Sequence, residues 1–465
     1  LSPANTRKLF GTDGIRGEAG QFPLDSRTVH TIGGSLARHL GERISGRPPD
    51  IIIGRDTRES GAWIERALIN GAREFGARVQ SAGVITTPGV AFLARTLPAD
   101  AGVVISASHN PYPDNGIKVF DPSGRKLDEA TERRIEKDIA DAGGGTAPDR
   151  GCAEPAEQSD SNAQKVADLQ KRYLDYLVND VASGLSLSNL TLVVDCANGA
   201  SFELAPSMFE RLGARVVAIN NQPDGRNINL DCGSLHIESL QHRVLSEHAD
   251  LGVAFDGDAD RALFVDAGGN FVDGDATMWA LATYLQPRGE LAGDQVVATV
   301  MSNIGLEVAL RSRGIKLART DVGDKFVLEE LIRSEATLGG EQSGHIIFPK
   351  LSLAGDGMIT TIALLRAMSD QKKSLADLID GFERYPQVLL NVRVRERQPL
   401  DQLAGVQKLV HEVEERLGDR GRLLLRYSGT ELLARVMIEG ESQSQIEAQA
   451  NALAEAIKSE IGAEV

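Results

Sequence analysis

The sequence is poor in cysteine, short of basic residues relative to acidic ones, and without a long apolar run. Its three cysteines, Cys152, Cys196 and Cys232, are widely spaced, cannot all pair and form no CxxC or other metal-ligand pattern. That usage suits a reducing cytoplasm rather than a disulfide framework. The 50 Lys and Arg against 66 Asp and Glu leave a formal net charge of -16, which opposes non-specific binding to DNA, whose phosphates need cations for counterion release. Nucleic acid is therefore not an expected partner. A small anionic substrate is compatible with this charge, because local Arg and Lys clusters focus a positive field inside an acidic protein. No apolar run approaches the ~20 residues of a membrane span, and the start LSPANTRKLFGTDG has no signal-peptide core. The expectation is a soluble, cytoplasmic protein with no membrane contact. At 465 residues the chain should form three or four domains, with an active site between them.

What is present is a recurring unit: an apolar strand, a polar loop, an amphipathic helix, and a second strand opening on a Gly-plus-basic turn. It runs from Ile51 to Val79, from Leu192 to Val217, and from Val296 to Leu317. Each copy reads as a βαβ crossover, so three α/β domains with mixed, mostly parallel sheets are expected. The remainder differs. A strand over 388–394, a helix with Leu403, Val406, Val410, Val413 and Leu417 on one face, two strands over 422–426 and 433–438, and a final helix predict a smaller α+β domain with an antiparallel sheet. The expected boundaries are 1–164, 165–267, 268–385 and 386–465, and the Gly-rich stretch 142–164 reads as a surface linker.

Five loops carry the polar chemistry. In Asp256-Gly-Asp-Ala-Asp-Arg261, carboxylates at alternate positions repel unless a cation lies between them, and such hard oxygen ligands suit Mg²⁺. An EF-hand would need Gly at loop position six and Glu at position twelve, where this chain has Arg261 and Ala267. In SASHNP, followed by DNGIK, a phosphorylated Ser108 would complete the metal sphere and be stored loaded. A Ser108-His109 hydrolase is the rival reading. Adjacent residues rarely align as nucleophile and base, and the G-x-S-x-G elbow is absent. In GGEQSGH, Glu341 and Ser343 stand two apart on what reads as an extended loop, a spacing that points both side chains at sugar hydroxyls. Arg426-Tyr-Ser-Gly-Thr-Glu431, with Arg435 beyond it, offers guanidinium forks and an anion nest for phosphate. GTDGIRG forms a tight loop that could aim Arg16 into a cleft.

In this order the five motifs resemble the α-D-phosphohexomutase superfamily. Within it, VVDCANGA at 193–200, MSNIGL at 301–306 and VGDKF at 322–326 are similar to the bacterial phosphoglucosamine mutase subfamily. The resemblance spans Phe10 to about Gly440. It implies three α/β domains and a C-terminal α+β domain around a central cleft, and transfer of a phosphoryl group between O6 and O1 of a hexosamine phosphate through a 1,6-bisphosphate. It implies that Ser108 is the phosphoserine and, with Asp256, Asp258 and Asp260, a ligand of Mg²⁺. Arg16, His109 and Lys118 would surround the reacting hydroxyl, Lys118 as general base, and Arg261 would stabilise charge. Glu341 and Ser343 would hold sugar hydroxyls, while Arg426, Ser428, Gly429, Thr430 and Arg435 would hold the phosphate that is not reacting. Phosphomannomutase and phosphoglucomutase are the alternative activities, and the resemblance leaves room for a homodimer.

Two departures from the family pattern bear on these roles. The common phosphate loop has Lys and Pro where this chain has Tyr427 and Leu432, and the metal loop has Ala259 where Gly is usual. A phosphatase would need no phosphate clamp, and a sugar-phosphate sensor would need neither Ser108 nor the carboxylate triplet.

Overall fold

The computed structural model describes residues 8–143, 160–428 and 431–463. Cys152, Gly429, Thr430 and most of the expected linker lie outside the described residues. The linker's last residues open the helix Asp160–Asp175.

The chain packs as two compact units, Leu1–Val300 with Arg319–Ile379, and Met301–Ala318 with Asp380–Val465. In the first unit, the opening sheet is built from β1 (Phe10–Gly11), β2 (Gly14–Glu18), β3 (Asp50–Arg55), β4 (Arg78–Val84), β5 (Ala101–Ile105) and β6 (Asp114–Phe120), in the order β1-β2-β6-β5-β3-β4. The β-branched run of β3 is buried on both faces because helices cover it. Its parallel partners β4 and β5 are reached through the helices Gly61–Glu74 and Thr87–Thr96, as the βαβ pattern predicts. The core between sheet and helices holds Ile15, Ile32, Leu36, Ile53, Leu68 and Ile117.

The second sheet comprises β7 (Thr191–Asp195), β8 (Arg215–Ile219), β9 (Leu251–Phe255), β10 (Ala262–Asp266) and β11 (Phe271–Val272), ordered β11-β10-β9-β7-β8. A third sheet contains β12 (Gln295–Thr299), with β13 (Lys316–Thr320) next in the chain, then β14 (Leu338–Gly340) and β15 (Ile346–Ile347). β12 pairs parallel with β14, and β14 antiparallel with β15.

The second unit has β16 (Gln387–Arg393), β17 (Arg422–Tyr427) and β18 (Leu433–Glu439) in an antiparallel sheet ordered β16-β18-β17. The helices Ala404–Leu417 and Gln443–Ile461 cover it, as the apolar spacing predicts. Met301–Ala318 joins this unit chemically as well: buried Glu439 accepts from Ile304 N (3.0 Å) and Asn303 Nδ2 (3.3 Å).

Antiparallel pairs are more numerous than the βαβ pattern alone implies, and the motif loops explain why. Each of the five motifs joins or flanks the turn of an antiparallel pair: β1/β2, β5/β6, β9/β10, β14/β15 and β17/β18. A short loop can only return the chain antiparallel. Four of the motifs therefore sit on hairpins attached to parallel βαβ cores, and the fifth on the antiparallel sheet of the second unit.

Candidate active site

β5 ends at Ile105, and the chain turns at Ser108, whose φ of 53° is left-handed. A non-glycine residue there costs on the order of 1–3 kcal/mol and persists only where its surroundings impose it. The Ser108 hydroxyl donates to Asp256 Oδ2, and its N–H donates to Ser106 Oγ at 2.9 Å. The same turn brings His109 Nδ1 to 3.4 Å from Ser108 Oγ. The two side chains are near each other but do not align as nucleophile and base, because the Ser108 proton goes to Asp256 and Arg261 faces the same His109 nitrogen. Arg261 Nη1 lies 3.2 Å from His109 Nδ1 and can only donate, which fixes that nitrogen as an acceptor. Burial, then the Arg261 and Arg16 guanidinium groups, push the imidazole down to about 4. His109 is therefore neutral near pH 7.

The loop between β9 and β10 gathers Asp256, Asp258 and Asp260, with one oxygen from each within 4.8 Å of the others. All three side chains are buried, and Asp258 Oδ1 and Asp260 Oδ1 accept no hydrogen bond among the described residues. Three buried carboxylates this close together, two of them with an oxygen left without a hydrogen bond, are a donor set for a hard dication, so these residues fit a divalent metal. Burial, then Asp260 and Asp258, push Asp256 well above the ordinary carboxylate range. For Asp260, burial acts upward, but Lys118, His345 and Arg261 outweigh it and hold the carboxyl well down. Gly257 permits the contact with the serine loop, since a Cβ there would lie 2.5 Å from Ser108 O. Ala259 takes φ 56°, which accounts for glycine being usual at this position. Its methyl is fully buried, and that burial offsets part of the strain.

Lys118, on β6, is buried with its ammonium 3.0 Å from Asp258, 3.3 Å from Asp13 and 3.5 Å from Asp260. Burial acts to lower its pKa, but Asp13, Asp258 and Asp260 together raise it well above the ordinary lysine value. Arg16, on β2, pairs with Asp13. Lys126 then links Asp13 (2.9 Å) to Asp324 (2.7 Å), and His345 lies 3.9 Å from Asp324 and 3.6 Å from Asp260. Six side chains of alternating charge thus close a ring. Asp13 lies in GTDGIRG and Asp324 in VGDKF, but the sequence assigns no site role to either of them or to Lys126. Thr87 was missed too: its hydroxyl donates to Asp258 Oδ2 at 2.6 Å. A cavity of about 420 Å³ has Lys118, Asp260 and His345 in its wall.

Glu341 and Ser343 do not lie on an extended loop. Gly344 N donates to Glu341 O at 3.0 Å, closing a tight turn between β14 and β15, so alternation cannot align the two side chains. Glu341 Oε1 accepts from Gly323 N at 3.2 Å, while the buried Ser343 Oγ has no partner among the described residues.

In the second unit, Arg426 and Arg435 are register partners on β17 and β18. Arg435 Nη2 reaches Ser428 Oγ at 3.5 Å, and neither arginine pairs with a carboxylate among the described residues. Two neighbouring guanidinium groups without counter-charges suit an anion. Tyr427 hydrogen-bonds Gln398 O at 2.6 Å, so it anchors the strand end rather than replacing the charge of the usual lysine.

Four domain families match the chain in order, each described as phosphoglucomutase/phosphomannomutase: alpha/beta/alpha domain I over residues 7–143, domain II over 171–269, domain III over 273–385 and the C-terminal domain over 389–456. The chain belongs to the phosphoglucomutase/phosphomannomutase family. A Solibacter usitatus protein named phosphoglucosamine mutase is 48% identical over 456 residues, covering 98% of this chain and 99% of the relative. One of the same name from Chlamydia trachomatis is 42% identical over 461 residues, covering 99% of each. Among solved structures, a Burkholderia thailandensis member of the family superposes with a TM-score of 0.78 at 24% identity, covering 97% of both chains. Aspergillus fumigatus N-acetylphosphoglucosamine mutase, in complex with GlcNAc-6P and magnesium, gives 0.65 at 19% identity, covering 97% of this chain and 95% of that one. These two establish the shared fold. Among the described residues no helix is long and apolar enough to cross a membrane.

Proposed function

We propose that the protein interconverts glucosamine 6-phosphate and glucosamine 1-phosphate through a phosphoserine at Ser108 and a 1,6-bisphosphate. The observation that carries this reading is the Ser108 hydroxyl seated on Asp256 of a buried carboxylate triad. It occurs in a chain 42–48% identical, over almost its whole length, to proteins named phosphoglucosamine mutase.

Asp256, Asp258 and Asp260, with the phosphate on Ser108, would hold Mg²⁺, which when bound neutralises charge on the transferring phosphoryl group. The chain's own groups do the rest. The neutral His109 lies beside Ser108 Oγ, Arg261 stands against His109, and Arg16 adds positive charge to the imidazole's surroundings. Lys118 exchanges a proton with the attacking sugar hydroxyl; committing Asp258 and Asp260 to a dication would weaken part of the support that keeps it charged, while Asp13 would stay. Glu341 and the unpartnered Ser343 hydroxyl hold the sugar. Arg426, Ser428, Gly429, Thr430 and Arg435 hold the distal phosphate. The domains proposed for these tasks are 1–164, 165–267, 268–385 and 386–465. Two free, buried cysteines, Cys196 and Cys232, favour a cytoplasmic location. A homodimer is open to sedimentation velocity.

The test is kcat/KM for glucosamine 6-phosphate, glucose 1-phosphate and mannose 1-phosphate, measured side by side. A charged contact to the amine at C2 should favour glucosamine roughly ten- to a hundredfold. Preference for a neutral sugar would reassign the chain to phosphoglucomutase or phosphomannomutase activity. Intact mass should show a phosphate that Ser108→Ala removes.

A further inference from the structure

Behind the Ser108 loop lies a group that the proposed reaction does not use. Arg58 is fully buried and pairs with buried Asp56, Nε to Oδ2 at 2.9 Å. Its remaining donors all go to carbonyls of the serine loop and of the first residue of β6: Ser108 O (3.0 Å), Asn110 O (2.8 Å), Pro111 O and Asp114 O (3.0 Å). Asp56 Oδ2 also accepts from Ser106 Oγ at 2.6 Å, and that oxygen accepts the N–H of Ser108 at 2.9 Å. One guanidinium therefore fixes the serine loop twice, directly at the carbonyl of Ser108 and through Asp56 and Ser106 at its amide.

We propose that Arg58, Asp56 and Ser106 form a positioning device that locks Ser108 in its left-handed conformation and so sets its hydroxyl on Asp256. Three observations carry this. A strained φ of 53° persists only where neighbours over-determine it, and these contacts hold both peptide groups of Ser108. A buried ion pair contributes little net stability compared with apolar packing, so stability alone is a weak reason for burying Arg58 here. The device is also rigidly based, since Asp56 directly follows β3 and its N–H donates to Ile105 O at the end of β5, the strand from which the serine loop departs. Of the two serines in SASHNP, Ser106 is then the support and Ser108 the group it supports.

The inference rests on the reading of Ser108 as the phosphoryl carrier, and the experiment separates the two. Ser106→Ala, Arg58→Lys and Ser108→Ala are compared with the wild-type enzyme, loaded with Mg²⁺. The readouts are steady-state mutase kinetics, the rate of Ser108 phosphorylation by glucose 1,6-bisphosphate, and melting temperature. For Ser106→Ala, kcat and the phosphorylation rate should fall together by roughly ten- to a hundredfold, the scale of an ångström-level misplacement. KM should stay within about twofold, and the melting temperature within ~4 °C. Arg58→Lys should lower the same two rates, because an ammonium cannot span Asp56 and four carbonyls. A folded Ser106→Ala with wild-type kcat, or with only KM changed, would overturn the device while an inactive Ser108→Ala left the carrier reading standing. An active Ser108→Ala would remove both. Loss of folding in both supporting variants would assign the group to stability and equally overturn the proposal.

Discussion

Lys118 and Asp258 form a buried ion pair, Nζ to Oδ2 at 3.0 Å, with each side chain only 1% exposed. The pair joins β6 of the first sheet to the loop that follows β9 of the second. Removing one partner of such a pair leaves a buried charge uncompensated, at a cost of about 3–5 kcal/mol. Lys118→Met should therefore destabilise the metal-free protein by roughly that amount, and divalent metal should stabilise the variant more than the wild type. Denaturant unfolding in chelator and in Mg²⁺ reads both. Equal stability of the two proteins in chelator would contradict the account.

Gly257 admits no side chain, because its Cβ would meet Ser108 O at 2.5 Å and Ile228 Cδ1 at 2.9 Å. Gly257→Ala should push the metal loop and the serine loop apart. The expected result is a folded protein whose kcat falls at least about a hundredfold, with metal affinity reduced in isothermal titration.

His345 carries the pH dependence. Burial acts to lower its pKa, but Asp260, Asp324 and Glu341 raise it to about 9 from an ordinary 6.5. A histidine raised on folding contributes stability that is fully present below pH 6.5 and is lost as pH rises through about 9. In metal-free protein, the stability difference between wild type and His345→Gln should be flat below pH 6.5 and shrink by ~3 kcal/mol as pH rises to about 9. Chemical denaturation across that range checks the sign. A difference that grew with pH would mean that His345 is neutral in the folded protein.

Arg426→Ala should act on substrate binding, since Arg426 and its register partner Arg435 are proposed to hold the distal phosphate. Loss of one charge-assisted contact is worth ~1.5–3 kcal/mol, so KM should rise about ten- to a hundredfold. Bisphosphate should also escape into solution during turnover, which anion-exchange chromatography of the reaction would detect.

Much of this was legible in the chain. The three βαβ units and the β-α-β-β-α order at the end follow from apolar periodicity, which depends on neighbours a few residues apart. Asp256, Asp258 and Asp260 were legible for the same reason: their mutual repulsion is local and demands a cation wherever the loop lies. The C-terminal arginines were legible as donors, although the anchoring of Tyr427 on Gln398 was not.

Other features depended on residues distant in sequence. Nothing near Arg58 indicates that it will reach Ser108, Asn110 and Asp114 some fifty positions away. Asp13, Asp324 and His345 fall within the quoted motifs GTDGIRG, VGDKF and GGEQSGH, but nothing local pairs them with one another or with Lys126, and only tertiary packing makes them one ring of alternating charge. The turn at Glu341 differs from the extended loop its spacing suggests because backbone φ and ψ at a loop are set by its tertiary contacts, not by residue type. Local order along the chain is enough to say which segments become strands and helices and which groups need a cation or an anion. Which carboxylate faces which ammonium follows from the folded packing alone, because Coulomb energy and desolvation depend on distances that the order of residues does not contain.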